Sequence, residues 1–475
     1  MTATVRPGLA DEDLARLRAR VTGPVLDPST PTYDEVRRVW NGAVDKHPAV
    51  IVRCAEAPDV VEAIRFARRT GLPVAVRGGG HSIPGFSAID GGLLIDLQPM
   101  KTIDVDPDQR LVTVGAGVVW AELDRATQEH GLAVTGGEVS DTGIAGLTLG
   151  GGFGWLKRTC GLACDNLLAA EVVTADGRVV GASDTENPDL LWALRGGGGN
   201  FGIVTRFTYR LHPVGPILYG GALVHPAQRT ADALRFLREH ASRVPDETSL
   251  MAALVVAPPA PEFPAALHGH PVVVLGAAYH GGLAEGEHAL GFLREFAPPA
   301  VDLLGPIPYV ALQQMVDAFT PRGLHYYVKS EWLADLPDGV VDALVDHHLA
   351  RTSPLHQILL HQMGGAVSRV APEKTAFTYR DAAFVVTVAG CWQPGDARGP
   401  HVEWARSAWR ACLPGSAGGA YINHLDADEG ANRIRAAYGA ATYDRLIAVK
   451  AVWDPDNVFC GNHNIPPGHS GTRQR

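Results

Sequence analysis

Three glycine runs interrupt the first half of the chain, at 78–80, 150–154 and 196–202. Each lies between segments patterned for regular structure, and a backbone stripped of Cβ atoms lets main chain come close to another group. Ahead of the first run, Ala57–Gly71 carries Val60, Ile64 and Ala67 on one helical stripe, with Asp59 placed to cap its start and Gly71 its end. The strand Leu72–Arg77 then runs straight into Gly78-Gly-Gly-His-Ser-Ile-Pro-Gly85. Leu93–Leu97 and Arg110–Val114 are further strand segments, Val119–His130 is a helix, and Val172–Val180 is a hairpin turning at Asp176-Gly177. The spacing predicts backbone loops converging on one extended ligand. A tight turn would explain any single run, but three runs with a histidine set in the first argue against three unrelated turns.

From about residue 215 the texture changes. Pro-rich stretches such as 257–264 and 306–308 separate long alternating strands and amphipathic helices. The expected fold is α+β: a two-part ligand-binding domain and a second domain whose antiparallel sheet is covered by helices. The expected division is 1–214, 215–420 and a terminal segment 421–475 returning to the first domain. A length of 475 residues allows two or three domains.

Lys and Arg number 41 against 51 Asp and Glu, a net charge of −10 with no basic run, so a nucleic-acid partner is not expected. No stretch reaches about 18 apolar residues, and Met1–Gly8 lacks the apolar core of a signal peptide. A cytoplasmic protein without a membrane partner is expected. Six scattered cysteines without a C-x-x-C pair suit buried thiols in a reducing compartment.

Gly197–Gly202 matches G-x-G-x-x-G, but the order is helix, loop, strand, and no acidic residue falls between 203 and 230. A Rossmann fingerprint needs the reverse order and a ribose carboxylate about 20 residues on. Neither G-x-x-x-x-G-K-[ST] nor G-x-S-x-G occurs, nor does H-E-x-x-H, and His347 and His348 point different ways on a helix, so no metal site is expected. Asp426–Gly430 does not hold calcium-loop register and reads as a solvated acidic turn. Loop N–H groups can hold a diphosphate without cationic side chains, which suits an acidic protein.

The blocks Arg77–Gly85, Gly91–Leu97, Gly150–Leu156, Cys160–Asn166, Leu191–Thr205 and Tyr438–Pro467 resemble, in order, the berberine bridge enzyme-like FAD-linked oxidases of the vanillyl-alcohol oxidase superfamily. The resemblance runs from about Tyr33 to Pro467 and implies a PCMH-type FAD-binding domain. It also implies a single covalent bond from His81 to the flavin 8α-methyl carbon, because Val139 stands where many members carry a second, cysteinyl link. Cys160 and Cys164 lie beyond that place. By the same resemblance the cofactor contacts are Arg77, Gly78, Gly79, Gly80, Ser82, Gly136, Gly137, Val139, Thr142, Gly143 and Gly146. They continue through Gly150, Gly151, Gly152, Gly154, Gly202, Ile203, Val204, Tyr421, Asn423, Asn462 and Asn464.

Gly419–Asp426 resembles a family strand whose second tyrosine serves as base in several members; His424 stands there, and histidine titrates near neutral pH. It can equally be a packing residue. His325–Ser330 resembles a strand whose lysine approaches cofactor or substrate, giving Tyr327 and Lys329 as further catalytic candidates. On Ile358–Ala366 some relatives carry a carboxylate base; none is present here, leaving His361 and Gln362 as substrate contacts.

The implied reaction oxidises a C–OH, C–N or activated C–H bond of a small organic molecule. Dioxygen is the second substrate, and Gly137 is the expected oxygen gate. A sugar oxidase, a flavin–oxygen oxygenase and a flavin-loaded binding protein are the alternatives.

Overall fold

A computed structural model describes residues 9–468. Three sheets carry the molecule, with a two-stranded ribbon beside them. The first sheet orders its strands Val25–Leu26, Val50–Arg53, Leu93–Asp96 and Val74–Arg77, and its last three strands are parallel. Parallel pairing requires a crossover, which the helix Ala57–Thr70 supplies by burying Val60, Ile64 and Ala67. Gly71 closes that helix in the left-handed region at φ 70°. Asp59 is not the cap: it sits inside the first turn, buried, and accepts N–H bonds from Thr22, Gly23 and Ala55 at 2.7, 3.1 and 2.9 Å. The carboxylate therefore fastens the N-terminal segment to the sheet.

The second sheet is antiparallel, in the order Ile103–Asp106, Leu111–Gly115, Ile203–Arg210, Leu167–Val173 and Val179–Ser183. Its last two strands form the expected hairpin, with Gly177 at φ 80° in the turn. The third glycine run lies between the helix Pro188–Leu194 and the strand Ile203–Arg210, the inverse of a Rossmann loop.

The second half is one antiparallel sheet of eight strands: Val301–Asp302, Ile217–Pro226, Pro271–Tyr279, Thr248–Val256, Gln357–Gln362, Phe384–Trp392 and His325–Leu333, with Gly305–Pro308 on the outer edge. Helices including Thr230–Ala241, Asp338–Leu349 and Arg398–Cys412 cover one face, where Leu234, Leu254, Leu275, Ile358, Val386 and Ala405 pack. The other face looks toward the first half. Helices Ala431–Tyr438 and Ala440–Trp453 then return to the N-terminal core, where Tyr438, Leu446 and Val449 join Leu190 and Leu191. Buried Lys450 anchors that return, donating to Asn200 O, Asp454 Oδ2 and Phe459 O at 2.8, 2.7 and 3.0 Å.

Two local expectations are corrected. Residues 419–426 form no strand; Ile422–His424 is a single 3-10 turn. The acidic turn at 426–430 is not solvated throughout, because Asp426 is buried and Asp428 and Glu429 both receive Lys329. Among the described residues no helix is long and apolar enough to cross a membrane.

Candidate active site

Both halves wall one cavity of about 800 Å³. Its floor is the uncovered face of the eight-stranded sheet. Bare backbone at Gly78–Gly80 and Gly198–Asn200 lines the opposite side, together with Gly137, Val139, Thr142, Gly143 and Gly146. A Cβ on Gly79 would overlap the Gly143 backbone, so the two loops touch main chain to main chain. No Lys or Arg lines the cavity, which leaves loop N–H groups as the donors for an anion. Asn462 donates to Gly199 O at 3.0 Å and Tyr438 to Gly197 O at 3.2 Å, so the terminal segment holds the third loop in place.

His81 stands on the wall at the end of its loop. Its ring stacks on Trp40 at 4.9 Å, and Trp40 stacks on Tyr326 at 3.8 Å. Nε2 lies 2.7 Å from Asp141 Oδ1 without an aligned hydrogen bond, and Nδ1 is 3.5 Å from Thr142 Oγ1. Burial pushes the imidazole pKa down against the pull of Asp141. It is therefore neutral and keeps a lone pair, the form a nucleophile needs. Arg322 Nε donates to Asp141 at 2.7 Å. Burial alone would raise the Asp141 pKa, but His81 and Arg322 outweigh it and hold that carboxyl below its ordinary value.

A second carboxylate, immediately before Val139, is not among the residues the sequence singles out. Glu138 Oε2 lies 2.8 Å from His361 Nε2, with both side chains at most 10% exposed. Burial raises the Glu138 pKa, yet His361, Lys157 and His424 outweigh it and keep the group ionised. An ionised carboxylate only accepts, so His361 Nε2 is the donor in this pair, and Nδ1 has no partner. Lys157 is buried near the carboxylate, and burial draws its pKa down to about 8.

His424 lines the same cavity. Its Nδ1 is 3.1 Å from Thr387 Oγ1, and its ring meets Tyr421 edge-on at 4.8 Å. Burial, with His361 nearby, lowers its pKa to about 3.

Several expected contacts lie elsewhere. Tyr327 and Lys329 are on the far face of their strand: Tyr327 OH donates to Asp428 at 2.9 Å and accepts from Arg406 at 2.9 Å, while Lys329 binds Glu429 at 2.6 Å. Tyr326 and Val328 face the cavity instead. Gln362 also points away, accepting from Leu250 N–H at 3.0 Å and donating to Ala241 O at 2.5 Å; Gln357, Leu359 and His361 are the facing residues. Arg77 is off the wall, buried on Asp96 at 3.0 and 2.8 Å, and anchors the strand end from which the first loop departs.

Gly136 is pressed on Trp120, Gly154 on the Gly136 carbonyl, Gly150 on Asn423 and Gly151 on Phe377. Gly152 N–H donates to Tyr421 OH at 3.0 Å. The second glycine run thus supports Tyr421 and Asn423, which do line the cavity, more than it lines the cavity itself. Asn464 is off the wall too, next to Ile465, whose N–H is held by Asn200 Oδ1 at 3.0 Å. Ser82, Gly202, Ile203, Val204 and Asn462 do reach it. Among the cysteines, Cys160 and Cys164 are buried away from the cavity.

Glycine loops that can hold a diphosphate, a neutral histidine beside them and a separate sheet closing the far side define a flavin-dinucleotide oxidoreductase. Comparison with known proteins makes the class specific. The FAD binding domain family matches residues 48–183 and the berberine and berberine-like family matches 420–466. An FAD-linked oxidoreductase of Dictyostelium discoideum is 33% identical over 451 residues, covering 94% of this chain and 95% of its own. (R)-6-hydroxynicotine oxidase of Paenarthrobacter nicotinovorans is 30% identical, with coverage of 94% and 97%. The structure of 6-hydroxy-D-nicotine oxidase from Arthrobacter nicotinovorans superposes with a TM-score of 0.83 at 29% identity, covering 94% and 98%. Xylooligosaccharide oxidase from Myceliophthora thermophila shares the fold, with a TM-score of 0.84 at 23% identity. The chain belongs to the berberine bridge enzyme-like FAD-linked oxidoreductases.

Proposed function

We propose that this FAD-dependent oxidase removes two electrons from a C–OH, C–N or activated C–H bond of a small organic molecule. In this reading His81 forms one covalent tie to the cofactor, and His361, held by Glu138, accepts the substrate proton. Bound FAD supplies the hydride acceptor and hands the electrons to dioxygen, giving hydrogen peroxide. The loops around Gly79, Gly143 and Gly199 would hold its diphosphate, and the neutral His81 ring would meet its ring system beside Trp40 and Tyr326.

The observation that carries the proton assignment is the Glu138–His361 pair, 2.8 Å apart and buried, with His361 Nδ1 left free. The carboxylate orients the ring and stabilises the imidazolium once a proton arrives. His424 is poorly suited to be the base. A nitrogen whose pKa burial has lowered to about 3 takes up a proton poorly at neutral pH, so its part is to orient substrate beside Thr387. Val139 on the wall, in place of a thiol, supports a single attachment.

In-gel flavin fluorescence of the denatured protein tests the attachment. The wild-type band should fluoresce and His81→Ala should be dark. A dark wild-type band, or a His81→Ala band as bright as wild type, removes the assignment.

A further inference from the structure

The cavity floor says what kind of molecule it takes. Cross-strand partners set the rows of side chains on that face: Ala222 pairs with Gly276, Gly276 with Met251 and Met251 with His361. The adjoining row runs Val224, Val274, Ala253, Leu359 and Thr387. Along both rows no hydrogen-bonding side chain appears until His361 and Thr387. At about 4.8 Å between strands, Val224 to Leu359 is an apolar run of roughly 14 Å. Val224, Val274, Ala253 and Leu359 are all aliphatic, and Met251 packs over Gly276, so the floor is apolar along its length. Met315, Phe319 and Phe263 close the cavity.

Polar groups sit at one end, and most are already engaged. Gln357 donates to Phe319 O at 2.6 Å, and Thr387 faces His424 at 3.1 Å. His361 Nδ1 and Glu138 Oε1, the outer atoms of one buried pair, are left without a partner there.

We propose that the substrate is a polycyclic or aryl molecule with a largely apolar body. A single hydroxyl or N–H meets His361, and the ring body lies along the apolar rows of the floor. This rests on the oxidase reading above and narrows it. A sugar would bring several hydroxyls onto a surface with nothing to bond them, and each stranded hydroxyl lowers affinity on the order of tenfold. An aromatic body loses no hydrogen bonds there and gains burial over its whole face.

The test is equilibrium dialysis of the flavin-loaded protein against 2-naphthalenemethanol and cellobiose, with flavin content read separately by absorbance. Naphthalenemethanol should bind at least about a hundredfold more tightly than cellobiose. Ala253→Phe, which raises the floor, should weaken it about tenfold or more while the flavin content stays at the wild-type level. Equal or tighter binding of cellobiose overturns the inference. So does a flavin-loaded protein that binds neither probe, or an Ala253→Phe variant that binds naphthalenemethanol like wild type. A protein that holds no flavin but still prefers naphthalenemethanol would sink the oxidase reading and leave the apolar-ligand inference standing.

Discussion

Replacing Glu138 by Gln keeps the shape of the side chain and removes its charge. In the native site the carboxylate takes the His361 Nε2 proton across 2.8 Å, with the two side chains 10% and 3% exposed. A buried hydrogen bond to a charged group contributes about 1.5–3 kcal/mol net, which is about 10- to 150-fold in rate if it is made only as the imidazolium forms. The amide adds a second effect. Its NH2 can donate to Nε2, which moves the ring proton to Nδ1 and removes the lone pair the substrate needs. General-base catalysis as a whole accounts for about 10²–10⁴-fold. Glu138→Gln should therefore slow anaerobic flavin reduction about 10²–10⁴-fold at saturating substrate, with the flavin content unchanged. The assay is stopped-flow bleaching of the flavin with whichever alcohol or amine reduces the wild type. Loss of the carboxylate also leaves buried Lys157 without its counter-charge, so Glu138→Gln/Lys157→Met serves as a control for instability. His361→Asn should match the slow rate, and His424→Asn should weaken binding more than it slows reduction. Wild-type rates in Glu138→Gln alongside a dead His361→Asn would show that His361 works without the carboxylate. Wild-type rates in both would place the base elsewhere.

Gly79→Ala should yield protein largely without flavin, measured by absorbance after purification, because its Cβ overlaps the Gly143 backbone and main chain cannot swing aside. Asp141→Asn removes the carboxylate beside His81 Nε2 and the partner of Arg322. The covalently bound fraction, read by in-gel fluorescence, should drop at least severalfold while total flavin binding persists. His348, His356 and His424 have folded pKa values lowered to about 3, and His463 to about 4, mainly by burial. The unfolded chain binds these protons first, so stability is full above pH 6.5 and falls as the pH drops toward those values. Each histidine contributes a slope of up to about 1.4 kcal/mol per pH unit, and His356→Asn should flatten denaturant midpoints measured from about pH 7 to about pH 5. Of the six cysteines only Cys460 is exposed, so a thiol reagent should modify one in the native protein and six after denaturation.

What the sequence made legible was whatever acts through the backbone or through local pattern. The loops at 78–80 and 198–200 and the position of His81 follow from glycine placement, and Gly71 and the hairpin at 174–178 follow from local chemistry. The period of a strand says that Tyr327 and Lys329 share a face, but not which face meets the cavity. That choice is made by the helix Arg398–Cys412 and the acidic turn, which offer Arg406, Asp428 and Glu429 on the far side. Gln362 was misplaced by the same one-residue ambiguity. Glu138 was hidden because its partner is 223 positions away and from the other half of the chain. A carboxylate directly after the Gly136-Gly137 pair was the one available signal.

The stretch from Glu138 to Thr142 explains why neither half would make a working site alone. Glu138 reaches into the substrate end to hold His361, and Val139 lies on the wall. Ser140 is pinned through both its N–H and its hydroxyl to Asp317 of the second half, at 2.8 and 2.6 Å. Asp141 lies against His81 and takes Arg322, while Thr142 is on the other side of the same imidazole. Five consecutive residues thus place one carboxylate on each of two histidines that come from different halves. Asp317 and Arg322, both from the second half, fix the segment between them. The register of this loop decides which carboxylate serves the cofactor end and which serves the proton. A one-residue insertion at 139–140 would disturb both together, with the core of neither half touched.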